Sequence, residues 1–160
     1  MAKGSAGTSG ATAKKPKLGQ NFLVDRGAMQ KIVDALGDIT QATVVEIGPG
    51  RGALTDFLAV RAGRLIAVEL DRVLSAQLRM LYARLPNVEV IEADILKTDI
   101  STMVGKRPGP LRDLRPSEPI RVRVVGNLPY YITSDILLAL FKAHRNIETI
   151  VVMVQLEVAE

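Results

Sequence analysis

The sequence predicts an α/β fold in which helices cover both faces of a doubly wound, mostly parallel sheet. Short runs rich in β-branched residues alternate along the chain with stretches whose apolar residues recur at helical spacing. A glycine-rich turn joins the first of these runs to the helix that follows it. The 160 residues are 48% hydrophobic, which is enough to bury one core of ordinary size. Repeated strand–helix units of this kind favour right-handed crossovers and therefore a parallel sheet.

The first helix is predicted to begin at Asp25, a favoured N-cap residue, and to end at Gly37. Strands are expected after it over 43–47, 64–69, 88–91, 121–125 and 149–154. Further helices are expected over 53–62, 71–84 and 133–144, and the inward side chains of the second should be Val73, Leu74, Leu78 and Leu81. His144 ends the last helix at helical spacing from its apolar residues, so we predict a structural role for it.

Composition argues against several kinds of site. The chain has no Cys, which excludes disulfides and cysteine-ligated zinc, and with one His we expect no metal site. No apolar run is long enough to span a membrane, and the amino terminus lacks the apolar segment of a secretory signal. The lack of Cys also fits a reducing compartment, so we expect a cytoplasmic location and no membrane partner.

Two segments each have a net charge of +4 in a chain whose total net charge is also +4, so the remaining residues sum to −4. Residues 1–17 contain four Lys and no acid, and they are predicted to form a flexible basic arm. Residues 106–123 contain six basic and two acidic residues, and they overlap the stretch 105–119, whose four prolines predict an exposed loop. Clustered Lys and Arg favour a polyanion partner, but basic tails and loops also occur for solubility alone. Both interpretations stay open at this point.

The tetrapeptide Asn127-Leu128-Pro129-Tyr130 directly follows the apolar run 122–126, at the end of the fourth predicted strand where open α/β sheets bind ligands. It offers an amide oxygen, a backbone carbonyl and an aromatic face, which together suit a planar base with an exocyclic amine. Two acceptors on an adenine N6 amine would return electron density to a poor nucleophile, and Pro129 would stiffen the turn that presents them. The alternative interpretation is an ordinary strand-to-helix turn.

Acidic and glycine residues at the other strand ends suggest a second ligand. Gly48 and Gly50 lie in the turn after the first strand, where glycines let a ligand approach the backbone and the start of a helix. Glu69 ends the second strand and can accept both hydroxyls of a ribose, while Asp94 follows the third strand and can accept an adenine amine. Helix capping is the structural alternative for such acids, and the glycine spacing alone does not reject a dinucleotide.

Five motifs in this order resemble those of the KsgA/RsmA family of S-adenosylmethionine-dependent rRNA adenine dimethyltransferases. The resemblance covers residues 17 to about 158 and implies a Rossmann-like, class I methyltransferase fold. The motifs are Gly19-Gln20-Asn21-Phe22-Leu23, Val45-Glu46-Ile47-Gly48-Pro49-Gly50, Val68-Glu69-Leu70-Asp71, Glu92-Ala93-Asp94 and Asn127-Leu128-Pro129-Tyr130.

The resemblance implies a role for each matching residue. Asn21 and Leu23 would close over the methionine part of S-adenosylmethionine, and the turn at Gly48 and Gly50 would line the cofactor. Glu69 would hold its ribose and Asp94 its adenine. The target amine and ring would be held by residues 127–130, of which Asn127 would also adjoin the cofactor. The implied substrate is a pair of adjacent adenosines in the 3′-terminal hairpin of 16S rRNA, within an immature small ribosomal subunit, each methylated twice on N6.

The sequence departs from the family in two ways. Leu156 stands where the family usually has a Lys, and family members continue past the position of Glu160 with further strands and a helical rRNA-binding domain. We therefore expect residues 18–160 to form the cofactor-binding domain alone, with a sheet incomplete at its C-terminal edge. Such a chain should methylate rRNA poorly and self-associate through residues 150–154.

Three other functions remain as alternatives. The first is the related dimethylation of large-subunit (23S) rRNA that confers macrolide resistance. The second is a non-catalytic RNA-binding factor in ribosome assembly. The third is a plain NAD-binding module.

Overall fold

Five parallel strands form one sheet in the part of the chain that the computed structural model describes, residues 25–105 and 122–154. Their order across the sheet is β3-β2-β1-β4-β5, so the chain starts in the middle and winds outward in both directions. The strands are β1 (Thr43–Ile47), β2 (Arg64–Glu69), β3 (Val88–Glu92), β4 (Val122–Asn127) and β5 (Ile147–Met153). The predicted parallel, doubly wound sheet is confirmed.

Within the described residues, five α-helices flank this sheet: α1 (Arg26–Ala35), α2 (Ala53–Ala59), α3 (Arg72–Leu81), α4 (Ile100–Gly105) and α5 (Thr133–Lys142). Asp25 caps α1 as predicted, because its carboxylate accepts the N–H groups of Gly27 and Ala28 at 2.8 and 3.1 Å. Asp71 caps α3 in the same way, with bonds of 2.8 and 3.0 Å.

The two faces of the sheet bury separate cores. Side chains from β1 and β2 alternate between them: Val44 and Leu65 pack with α1, α2 and α3, whereas Val45 and Ile66 pack with α4 and α5. These strand residues are fully buried, since a parallel sheet covered on both faces has no solvent side.

The predicted inward face of α3 is partly wrong. Val73 and Leu81 are each 64% exposed, and the buried side chains of this segment are Ser75, Leu78 and Tyr82. Burial follows the stripe that faces the sheet, and the small Ser75 belongs to that stripe although its hydroxyl is polar. Counting apolar residues alone therefore selected a face rotated away from the sheet.

Helix α4 was not predicted. Its apolar residues Ile100, Met103 and Val104 are buried at helical spacing, and Asp99 accepts the Ser101 N–H at 2.9 Å at its start. Gly105 is the last residue of this helix and so does not begin the predicted loop. The rest of that loop, 106–119, and the basic arm over 1–17 lie outside the described residues.

The ends of several elements differ from the prediction. Helix α2 ends at Ala59 and α5 at Lys142, and β5 begins earlier than expected, at Ile147. Among the described residues β5 pairs only with β4, so it is the outer strand on that side of the sheet.

Candidate active site

Three predicted site residues lie at one level of the sheet. Ile47 of β1 pairs in register with Val68 of β2 and with Gly126 of β4. The next residues along these three strands are Gly48, Glu69 and Asn127. Because neighbouring strands lie about 4.8 Å apart, Glu69 and Asn127 flank Gly48 with their Cα atoms on the order of 10 Å from each other. The sheet therefore brings these candidates together at its carboxyl edge.

The glycine turn after β1 is open at Gly48. Its φ is +66°, in the left-handed region that favours glycine, and its N–H donates to the Val68 carbonyl at 2.9 Å. Among the described residues, and apart from its two chain neighbours, no heavy atom lies within 4 Å of a Cβ built at Gly48, so the backbone there is open to a close approach. At Gly52, by contrast, a Cβ would lie 2.7 Å from the Tyr82 hydroxyl, so that glycine is needed for internal packing.

Glu69 is 5% exposed and joins the glycine turn to the end of β2. Its Oε2 accepts the Gly50 N–H at 3.0 Å, and its Oε1 accepts the Asp71 N–H at 2.9 Å. A carboxylate has about four acceptor positions, so both oxygens keep capacity for further hydrogen bonds. The carboxylate is thus fixed beside the glycine turn, and its contact with ribose hydroxyls stays a prediction.

Asp94 caps a short helix, which is the structural role that the sequence analysis gave as the alternative to ligand binding. Its Oδ1 accepts the Leu96 N–H at 3.0 Å and starts a short 3₁₀ helix, while its Oδ2 lies 3.6 Å from the Lys97 ammonium nitrogen. Its backbone follows β3 at the same edge as Glu69. Contact between Asp94 and an adenine ring stays a prediction.

The turn at residues 127–130 is anchored to the core. Asn127 ends β4 and is half-buried, and Leu128 is 2% exposed, with its N–H donating to the Met153 carbonyl at 3.1 Å. The Pro129 carbonyl accepts the Thr133 hydroxyl at 2.8 Å, which ties the turn to the first residue of α5. Tyr130 is 55% exposed. A rigid turn therefore presents an aromatic ring to solvent beside the edge of the sheet.

A buried acid, Glu46, was missed as a functional candidate by sequence reasoning. It lies in β1 two residues before Gly48, is 2% exposed, and accepts the Thr55 hydroxyl of α2 at 2.8 Å. Burial raises the pKa of Glu46 to about 8; the Thr55 hydrogen bond lowers it, and the carboxylates of Glu69 and Asp56 raise it. An acid inside an otherwise apolar strand was the signal that sequence reasoning could have used.

A second hydrogen-bonded group supports the start of α2. The Tyr82 hydroxyl donates to the Asp56 carboxylate at 2.6 Å and lies 3.2 Å from the Gly52 carbonyl oxygen. Burial, followed by the hydrogen bond to Asp56, raises the pKa of Tyr82 above its usual value. Together with the Glu46–Thr55 bond, these contacts hold α2 against the glycine turn.

Other predicted candidates lie elsewhere. Asn21, Leu23 and Leu156 lie outside the described residues. Of the basic segment 106–123, Arg123 is described, and its guanidinium donates to the carbonyls of Leu36 and Asp38 and pairs with Glu148, so it serves the fold. Over 25–105 and 122–154, no three His, Cys, Asp or Glu side chains are grouped to hold a metal. No helix within those ranges has the length and apolar character needed to cross a bilayer.

Solved structures share this architecture. The 23S rRNA methyltransferase ErmE superposes with a TM-score of 0.70 at 34% identity, covering 87% of this chain and 50% of that one. A dimethyladenosine transferase from Plasmodium falciparum superposes with a TM-score of 0.65 at 28% identity, covering 88% of this chain and 45% of that one. The predicted class I methyltransferase fold is confirmed.

Sequence comparison agrees with the structural comparison. A ribosomal RNA small subunit methyltransferase A of Koribacter versatilis is 65% identical over 160 residues, which are 100% of this chain and 56% of that protein. A protein of the same name from Acidobacterium capsulatum is 54% identical over 146 residues, or 91% of this chain and 47% of that protein. The chain thus spans about half the length of these curated relatives. Because the family model of ribosomal RNA adenine dimethylases matches residues 11–160, the chain belongs to that family.

Proposed function

We propose that this protein transfers methyl groups from S-adenosylmethionine to N6 of adenosines in ribosomal RNA. The observation that carries the proposal is the alignment of Gly48, Glu69 and Asn127 at one edge of the sheet, beside the exposed ring of Tyr130. A cofactor and a base can meet there, because the turn at Gly48 is open and the flanking groups are hydrogen-bond acceptors.

Two of the groups on the cofactor side, the turn at Gly48 and the Glu69 carboxylate, are already held in place by hydrogen bonds. The open turn at Gly48 admits the cofactor close to the main chain, and the Glu69 carboxylate accepts its ribose hydroxyls. Asp94 takes the adenine ring, and Asn21 with Leu23 covers the methionine part. When bound, S-adenosylmethionine supplies an electrophilic methyl group on a sulfonium centre.

The base side prepares the amine for attack. The lone pair of an adenine N6 amine is delocalised into the ring, so the nitrogen is a weak nucleophile. The Asn127 side-chain oxygen and the Leu128 carbonyl would accept hydrogen bonds from its two N–H groups, which would return electron density to the nitrogen. Stacking on Tyr130 contributes about 1–3 kcal/mol toward holding a base that has left its own stack.

For the substrate we propose two adjacent adenosines of the 3′-terminal hairpin of 16S rRNA, in an immature small subunit in the cytoplasm. The support is the name shared by relatives at 54% and 65% identity, which refers to the small subunit. Dimethylation of 23S rRNA is the alternative, supported by the likeness to ErmE at 34% identity. Methylating purified immature small subunits and large-subunit RNA side by side separates the two.

The test of the proposal combines cofactor binding with methyl transfer. Calorimetry should detect binding of S-adenosylmethionine and S-adenosylhomocysteine but not of NAD. In a protein extended to the length of its relatives, Asn127→Ala should abolish most tritium-methyl transfer to unmethylated small subunits. Cofactor affinity should stay within a few fold, because the lost interaction belongs to the transition state. An equal loss of cofactor affinity would show that Asn127 does not face the base.

A further inference from the structure

Two neighbouring tyrosines stand at the turn between β4 and α5, and the proposed function uses only one of them. Tyr130 is 55% exposed and Tyr131 is 47% exposed. Their ring centroids are 5.6 Å apart and their planes meet at 87°. Large aromatic side chains dominate the energetics of cores and interfaces, so a half-exposed pair beside a candidate active site indicates a contact surface.

The backbone that carries both rings is held on each side. Leu128, before the pair, is 2% exposed, and Thr133, after it, is 1% exposed. The Pro129 carbonyl accepts both the Thr133 hydroxyl at 2.8 Å and the Ile132 N–H at 3.2 Å. The two side chains therefore project from a fixed turn into solvent.

The angle between the rings limits what they can bind. A base that stacks on an aromatic ring lies parallel to it, and a planar base has only two faces, which are parallel to each other. Since the ring planes meet at 87°, Tyr130 and Tyr131 cannot both stack on the same base. A target base on Tyr130 leaves the Tyr131 ring available to a different planar group.

We propose that Tyr131 stacks on the RNA base next to the target adenosine and so determines which nucleotides the site accepts. The inference rests on the proposed function, in which Tyr130 holds the target base. When a target nucleotide leaves its stack, the neighbouring base loses a stacking partner on one face. The Tyr131 ring replaces that partner, with the neighbouring base turned roughly at a right angle to the target base.

This arrangement has a consequence for specificity. Stacking on an aromatic ring tolerates any base, but its strength grows with the area of the base, so a purine neighbour is favoured over a pyrimidine. A substrate with two adjacent adenosines offers a purine neighbour whichever adenosine occupies the target position. Tyr131 thus favours the paired substrate without any hydrogen bond to the base.

The test measures RNA affinity by fluorescence anisotropy with S-adenosylhomocysteine present. The RNAs are short single strands with two adjacent adenosines, and matched strands in which the target base or either neighbouring base is missing. Tyr131→Ala should weaken binding of the intact RNA about ten-fold. Tyr131→Ala should not change the affinity for one of the two RNAs that lack a neighbouring base, namely the RNA without the base that stacks on Tyr131. Tyr131→Phe should bind like the unchanged protein.

Phe141→Ala is the matched control, because Phe141 is an aromatic of α5 that is 59% exposed and lies ten residues further along the chain. The affinity of Phe141→Ala for each RNA should equal that of the unchanged protein. The inference is overturned if Tyr131→Ala binds intact RNA normally. It is also overturned if the variant loses the same factor on every RNA, since that result would show that Tyr131 only braces Tyr130.

Failure of the proposed function gives a different result in the same experiment. The unchanged protein would then bind intact RNA no more tightly than RNA without the target base. A preference for the target base that is lost in Tyr130→Ala, together with no effect of Tyr131→Ala, overturns the Tyr131 contact alone.

Discussion

The buried carboxyl group of Glu46 should make the free energy of unfolding depend on pH. Replacing Glu46 by Gln should remove that dependence. Glu46 is 2% exposed, and burial raises its pKa from 4.5 to about 8. Each pKa unit corresponds to about 1.4 kcal/mol. The shift from 4.5 to about 8 therefore lowers the free energy of unfolding by about 5 kcal/mol once Glu46 is ionised in both states. At pH 7 the free energy of unfolding is already about 3 kcal/mol lower than it is below pH 4.5.

The sign follows from which state holds the proton. Below pH 4.5 Glu46 is protonated in both the folded and the unfolded chain, so it costs nothing. Between pH 4.5 and about 8 the unfolded chain releases the proton and the folded chain keeps it, so stability falls as pH rises. Above about pH 8 both states are ionised and the decline stops.

Urea unfolding followed by far-UV circular dichroism measures this decline, because the chain has no Trp to report by fluorescence. Glu46→Gln should be more stable than the unchanged protein at neutral pH and above. Glu148→Gln is the control, since its side chain is 48% exposed and its removal should change stability by less than about 1 kcal/mol. The reasoning is refuted if Glu46→Gln keeps the original slope between pH 4.5 and 8.

Three further outcomes are expected. Glu69→Ala should weaken S-adenosylmethionine binding by about 1–3 kcal/mol in calorimetry, because ribose hydroxyls lose charge-assisted hydrogen bonds; unchanged affinity would remove Glu69 from the site. Gly126→Ala should destabilise the fold by about 1–3 kcal/mol in urea unfolding, because its Cβ would lie 2.9 Å from the Ile47 carbonyl oxygen; wild-type stability would contradict that packing. Light scattering should show self-association through residues 150–154, which contain the end of the outer strand β5 and the residue after it, and Val154→Lys should shift the protein toward monomer; a protein that is monomeric at every concentration would contradict this prediction.

The sequence alone determined the parallel α/β class, the positions of the four strands β1, β2, β3 and β4 to within two residues at each end, and the family. It could do so because strand and helix patterns are local, and because glycine turns and caps at Asp25 and Asp71 act within a few residues. The local turn at 127–130 was recognised for the same reason. The roles of Asn21 and Leu23 stay predictions.

Only the tertiary structure decided how distant segments meet. The common level of Gly48, Glu69 and Asn127 depends on pairings between strands that are far apart in sequence, and no local pattern contains that register. The raised pKa of Glu46 likewise requires the cover that α2 provides, since an acid in a strand has an ordinary pKa until other elements remove its water. The exposed face of α3 and the angle between Tyr130 and Tyr131 were settled in the same way, by what each segment packs against.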